Sequence, residues 1–124
     1  MLALKRNASP VDYKLCNQTV TVYHWDGGTN YTTSVIHGVA LDHRKGLNVD
    51  RTGSKDAYSF LLIIPGCTAP VAVGDKVVAG EGEDVTTREG WAALIPSKVP
   101  GLCVVKWIDP KYWNGSVVHV EVGG

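Results

Sequence analysis

The chain is poor in the residues from which reactive centres and covalent scaffolds are built. It has three cysteines, Cys16, Cys67 and Cys103, and no two form a C-x-x-C pair. An odd, sparse set argues against a disulfide framework and a cysteine-built zinc site, so each is expected to pack as a small buried hydrophobe. Of the four histidines, His24, His37, His43 and His119, none stands in H-x-H or H-x-x-x-H ligand spacing. His24 and His119 fall in alternating stretches, where a hydrogen-bonded structural role is expected. No apolar run approaches the roughly 18 residues of a membrane helix. The opening MLALKRNASP is too short in apolar residues for a secretion signal, which points to a protein made and kept in the cytoplasm. Four N-x-S/T sites, at Asn7, Asn17, Asn30 and Asn114, then read as strand and turn chemistry. Basic excess is missing too. Twelve Lys and Arg balance twelve Asp and Glu, which weighs against a dedicated nucleic-acid binder.

Phosphate and calcium loops are also lacking. Gly80-Glu81-Gly82 has no following Lys-Ser/Thr, and its carboxylate would repel phosphate. Glu81, Glu83 and Asp84 do not follow the alternating order of a calcium loop, so a solvated turn is the better reading. No cofactor, no metal and no catalytic constellation are expected, and the chain is not read as an enzyme.

What is present is β chemistry. The 124 residues suit one domain with one core, and 44% are hydrophobic. Fourteen glycines and six prolines favour many short strands over a helical bundle. Residues 1–17 have no period and contain Pro10, so they read as an N-terminal arm, mobile unless docked. The domain proper is expected over 18–124. Gln18 to Trp25 alternates, with Val20 and Val22 on one face and Thr19, Thr21, Tyr23 and Trp25 on the other. Asp26-Gly27-Gly28 signals a hairpin, with a return strand from about Tyr31 to Leu41 that Gly38 would bend. The centre of the chain is AYSFLLIIPGCTAPVAVGDKVVAGEG, residues 57–82. It reads as a buried strand from Phe60 to Ile64 and a second apolar piece from Val71 to Val78, interrupted at Gly74-Asp75. Thr86 and Glu89 have capping-box spacing for a short helix near 87–95, which Pro96 stops. Leu102 to Ile108 reads as another strand. Asp109-Pro110 begins a turn through Asn114-Gly115, and Ser116 to Val122 alternates as the last strand. The expected fold is all-β: a small barrel or sandwich of about six or seven strands.

Two segments carry opposite charge. The long polar loop 43–56 holds Arg44, Lys45, Arg51 and Lys55, with Asp50 and Asp56. The 79–89 segment holds Glu81, Glu83, Asp84 and Glu89, with Arg88. Both also read as ordinary solvated surface. As complementary patches they would let the loop of one copy meet the acidic segment of the next, in a head-to-tail contact that closes a ring. Tyr112 and Trp113, placed in a turn, are candidate interface anchors, although packing over an open barrel end would serve equally.

The order of these pieces resembles the small minor capsid proteins of tailed phages, encoded among the head–tail connector genes. The matching residues are Gln18-Thr19-Val20-Thr21-Val22-Tyr23, the long central loop, Phe60-Leu61-Leu62-Ile63-Ile64-Pro65, Val73-Gly74-Asp75-Lys76-Val77-Val78 and Val118-His119-Val120-Glu121-Val122. The similarity covers roughly residues 15 to 122. The resemblance implies a virion component of the neck, a stopper or head-completion β-barrel assembled in the host bacterial cytoplasm. Such a protein forms a ring of itself, a hexamer or dodecamer. The ring lies between the portal or adaptor protein above and a tail terminator or tail-completion protein below. It closes the DNA-filled head and offers a surface for tail attachment. Loop 43–56 would project toward the channel, where it could meet the DNA end, or toward a neighbouring ring; no membrane is involved. The alternatives are an adaptor or tail-completion ring of the same neck, or a small oligonucleotide-binding barrel using Tyr23 and Trp25 beside Arg44 and Lys45. A small hydrolase or isomerase built on His119 or Cys67 is a third class.

Overall fold

The computed structural model describes residues 13–44, 59–66 and 68–124. The fold is all-β. Its strands are β1 (Gln18–Trp25), β2 (Tyr31–Arg44), β3 (Ser59–Pro65), β4 (Lys76–Ala79), β5 (Cys103–Val104), β6 (Trp107–Trp113) and β7 (Ser116–Gly123). They form one antiparallel sheet in the order β5-β4-β1-β2-β3-β7-β6. Two minor elements accompany it: a 3₁₀ turn at Tyr13–Leu15 and a helix of little more than one turn, α1 (Arg88–Ala92).

The β1–β2 hairpin closes on the pair Trp25 and Tyr31. Its loop is organised by the Asp26 carboxylate, which accepts from the Gly28 N–H at 2.7 Å and from the Asn30 side chain at 2.9 Å. The Gly28 N–H foremost, then the Asn30 amide, hold this exposed carboxyl below its ordinary range. β2 runs 14 residues because it serves two partners. Tyr31 to Val39 pairs with β1, and Ala40 to Arg44 pairs with β3. The change falls at a bulge: Gln18 faces Val39 and Thr19 faces His37, which leaves Gly38 unopposed at φ +74°. A side chain resists that left-handed backbone, so glycine suits the position, as the sequence indicated.

A second corner joins the ends of the strand order. Only Val105 and Lys106 separate β5 from β6. The Val105 N–H donates to Asp75 O at 2.9 Å on the β4 side, and the Lys106 N–H donates to Gly123 O at 2.8 Å on the β7 side. One stretch of chain therefore serves both ends of the sheet. The sheet curls so that Val20, Val22, Val77 and Cys103 pack in one cluster with Phe60, Leu62, Ile64, Val120 and Val122. Val39 and Val105 stand at the corners of the same cluster. β3 shows the period-two burial this requires, with Phe60, Leu62 and Ile64 inward.

A smaller core lies on the opposite face of β1. Tyr23 packs there with Leu94 and Leu102, flanked by Val78, Val85, Trp91, Val99 and Val104. Residues 80–102 supply its cover.

Four local expectations need correction. Val71 to Val73 form no strand; β4 starts at Lys76, because Asp75 turns the chain. The buried Asp75 carboxylate accepts from the Ala72 N–H at 2.8 Å, and Asp75 N–H donates to Ala72 O. Leu102 to Ile108 is not one strand but the β5 corner and the start of β6. Asp109-Pro110 begins no turn. β6 passes straight through it, since β6 ends the sheet order and a strand there tolerates a missing N–H; the turn is Asn114-Gly115 alone, both at positive φ. Finally, His43 and Arg44 belong to β2 and not to the loop.

Gly38→Ala tests the first corner. The added Cβ would meet nothing closer than Cys16 O at 3.8 Å, so the cost is conformational. The variant is expected to lose about 1–2 kcal/mol of unfolding free energy in urea titration; an unchanged midpoint would contradict the left-handed bulge.

Candidate functional site

The acidic segment is held in place by hydroxyl side chains of the sheet. Leaving β4, the Gly80 N–H donates to Thr19 O at 2.7 Å. The buried Thr21 hydroxyl donates to Gly80 O at 2.7 Å and accepts from the Gly82 N–H at 2.8 Å. The Tyr23 hydroxyl donates to Glu83 O at 2.9 Å. The Thr33 hydroxyl accepts from Val85 N–H at 2.9 Å and lies 3.2 Å from Val85 O. Alternation puts Thr21 and Tyr23 on the face of β1 away from the main core, which is why this segment can lie there. Gly82 sits against the Tyr23 hydroxyl, where any Cβ would collide. The Tyr23 phenol is pushed above its ordinary pKa, by burial first and then by the nearby Glu83 and Asp84 charges.

After this crossing α1 begins, capped by Thr87 and not by Thr86: the Thr87 hydroxyl accepts from the Gly90 N–H at 3.0 Å. Glu89 falls in the first turn of α1, where a carboxylate suits the helix end. Between the crossing and α1 lies an open hollow of about 450 Å³. Val78, Val85, Leu94 and Val99, members of the smaller core with Tyr23, line it, and so do the exposed Glu83 and Asp84. Glu81, Glu83, Asp84 and Glu89 are all exposed. Among the described residues none of these four carboxylates has a basic side chain within ion-pair distance.

Of the basic residues, Arg44 ends β2 opposite Ser59; Lys45, Arg51 and Lys55 lie outside the described residues, as does Cys67.

The aromatic pair Tyr112 and Trp113 lies on the terminal strand β6, exposed by 68% and 40%. Trp107, at the other end of β6, is similarly exposed while its ring covers Gly123, which leaves no room there for a Cβ. Lys111 pairs with Asp109 at 2.7 Å between them.

A second aromatic group escaped the sequence reading. Trp25 stacks on Tyr31 with ring centres 5.8 Å apart, and Trp91 packs about 6 Å from both. Lys76 lies 4.4 Å from the Trp91 ring centre and donates to Trp91 O and Leu94 O, and burial lowers its pKa. The hairpin register, which sets Trp25 opposite Tyr31, was the available signal; the arrival of Trp91 depends on the 80–102 crossing. Tyr23, expected beside Trp25 as a stacking surface, is buried.

The histidines are built into the framework. His119 is buried, with Nδ1 2.6 Å from the Tyr13 hydroxyl and Nε2 3.1 Å from the Glu121 carboxylate, which ties the 3₁₀ turn to β7. His24 Nδ1 lies 2.6 Å from the Asp75 carboxylate. Among the described residues no three His, Cys, Asp or Glu side chains gather as a metal site would require, and no helix is long and apolar enough to cross a membrane.

Such a molecule, an all-β domain with polar and aromatic chemistry on its outer faces, defines a class and not an activity. Residues 15–124 match the model of a family of unknown function (DUF6751), and the chain belongs to that family. Comparison with curated proteins and with solved structures finds no match.

Two outcomes follow. Thr21→Val keeps the shape but strands the Gly80 carbonyl and the Gly82 N–H. It is expected to cost about 1–3 kcal/mol and to speed amide exchange at 80–85; unchanged exchange would contradict the hydroxyl anchor. Burial pushes the Cys103 thiol from its ordinary value near 9 up to about 11. The unfolded chain then ionises first, so this contribution to stability is complete below pH 9 and is lost between pH 9 and about 11. Denaturation midpoints over that window should fall more for the native chain than for Cys103→Val, and equal slopes would contradict it.

Proposed function

We propose that the chain is a structural virion protein of a phage neck, a stopper-type subunit whose curled sheet acts as a small barrel in a homo-oligomeric ring. The ring would close the DNA-filled head beneath the portal or adaptor and receive the tail below. One observation carries this reading. The domain holds two separate and unlike exposed surfaces on one hydrogen-bonded framework: the acidic segment over β1 and the aromatic strand β6. A head-to-tail ring needs two different patches on every subunit, whereas a two-fold dimer needs one. Zero net charge and the ordered likeness to minor capsid proteins support the same reading. An adaptor or tail-completion ring of the neck would use the same surfaces.

The oligonucleotide-binding alternative is favoured by the Trp25, Tyr31 and Trp91 group beside Lys76, since stacking aromatics with a nearby cation suit single strands. Against it, Lys76 is committed to two backbone carbonyls.

The deciding experiment is removal of the gene from the phage that encodes this chain. Electron micrographs should then show filled heads and complete tails that fail to join, with joining restored by the protein supplied in trans. Normal joined particles would contradict the connector role, and tight, salt-sensitive binding of single-stranded DNA by the purified chain would favour the alternative.

A further inference from the structure

We infer that the hollow beside α1 is the receptor for the 44–51 segment of a second copy of the chain, an inference that rests on the ring reading above and names its contact. The hollow has two chemistries at once. Its floor is aliphatic, from Val78, Val85, Leu94 and Val99, and the carboxylates of Glu83 and Asp84 stand beside it. At about 450 Å³ it falls in the size range of small binding sites. The ligand it fits is an aliphatic group carried next to positive charge.

The chain contains such a segment. Arg44-Lys45-Gly46-Leu47-Asn48-Val49-Asp50-Arg51 sets two aliphatic residues, Leu47 and Val49, between Arg44 and Lys45 on one side and Arg51 on the other. Leu47 and Val49 would seat on the floor, and the flanking cations would meet Glu83 and Asp84. Those two carboxylates, with Glu81 and Glu89, are exposed and make no ion pair among the described residues. The walls are also preformed. Tyr23, Thr21 and Thr33 fix the 80–85 crossing through five hydrogen bonds, which lowers the ordering cost of binding. The contact is heterologous, because donor segment and receptor hollow are different parts of the chain; repeated around an axis it propagates or closes.

The test is charge exchange in the full-length chain, read by sedimentation velocity over a range of concentration and salt. The native chain is expected to self-associate, less so at high salt. Glu83→Lys with Asp84→Lys should weaken association roughly 10- to 100-fold, and so should Arg44→Glu with Lys45→Glu and Arg51→Glu. An equal mixture of the two variants should associate again, since each then offers what the other lacks. Ala93→Phe, which fills the hollow without altering charge, should also block association. Each variant is compared at the same thermal melting temperature as the native protein, and one that fails this check is replaced by its Gln or Ala counterpart. A native chain that stays monomeric at millimolar concentration overturns the inference. So does a variant that associates like the native chain, or a mixture that fails to recover. These results are independent of the neck role: a chain found in phage necks without this contact refutes only the contact, and a contact made by a chain absent from particles refutes only the role.

Discussion

The two halves of the sheet share one core because the chain turns a corner twice, at Gly38 and at Val105–Lys106. Without the first corner, β2 could not pair with both β1 and β3. Without the second, β5 and β6 could not occupy opposite ends of the strand order while adjoining in sequence. A flat sheet of these strands would expose Val20, Val22, Leu62 and Val122 to water. Curling removes them from it, and each fully buried aliphatic side chain contributes about 1.5–3 kcal/mol. The buried Asp75 belongs to the same construction. Its carboxylate fixes the approach to β4, and its backbone carbonyl receives the N–H of Val105.

Once the inner face of β1 is committed to that core, its outer face must be covered by something else. The 80–102 crossing does so, and what it covers explains its composition. Thr21 and Thr33 are there to satisfy backbone groups, Tyr23 supplies both apolar area and a hydroxyl, and Gly82 makes room for that hydroxyl. The carboxylates between these anchor points, Glu81, Glu83 and Asp84, are exposed. A hydrogen-bonded backbone with exposed charge outside is an arrangement suited to recognition, and it arises here as a by-product of covering a sheet.

The sequence made the main core legible where alternation was strict. Phe60, Leu62 and Ile64, and Val20 and Val22, face inward as period two requires. Gly38 announced its bulge because few other residues accept its backbone. Legibility failed where pairing partners decided the outcome. Pro110 looked like a turn former, yet a terminal strand has no use for its missing N–H. Val71 to Val73 had strand composition but no partner, because Asp75 captured the Ala72 N–H. Thr87 took the cap one residue after the position that capping-box spacing suggested. As for the candidate site, its charges were visible in sequence, whereas the hollow was not. Val78, Val85, Leu94 and Val99 are spread over 22 residues, and hydrogen bonds from Thr21, Tyr23, Thr33 and Lys76, distant in sequence from most of them, hold the crossing that brings them together. The Trp25, Tyr31 and Trp91 group was hidden for the same reason.

The account treats this domain as a platform whose function lies in contacts between copies and with neighbours in a virion. The measurement that bears on this proposal most directly is cryo-electron microscopy of intact virus particles from the source of the chain, at a resolution that traces strands. The account predicts a ring of this seven-stranded fold between portal and tail. A neck fully accounted for by other proteins, with this chain nowhere in the particle, would contradict it.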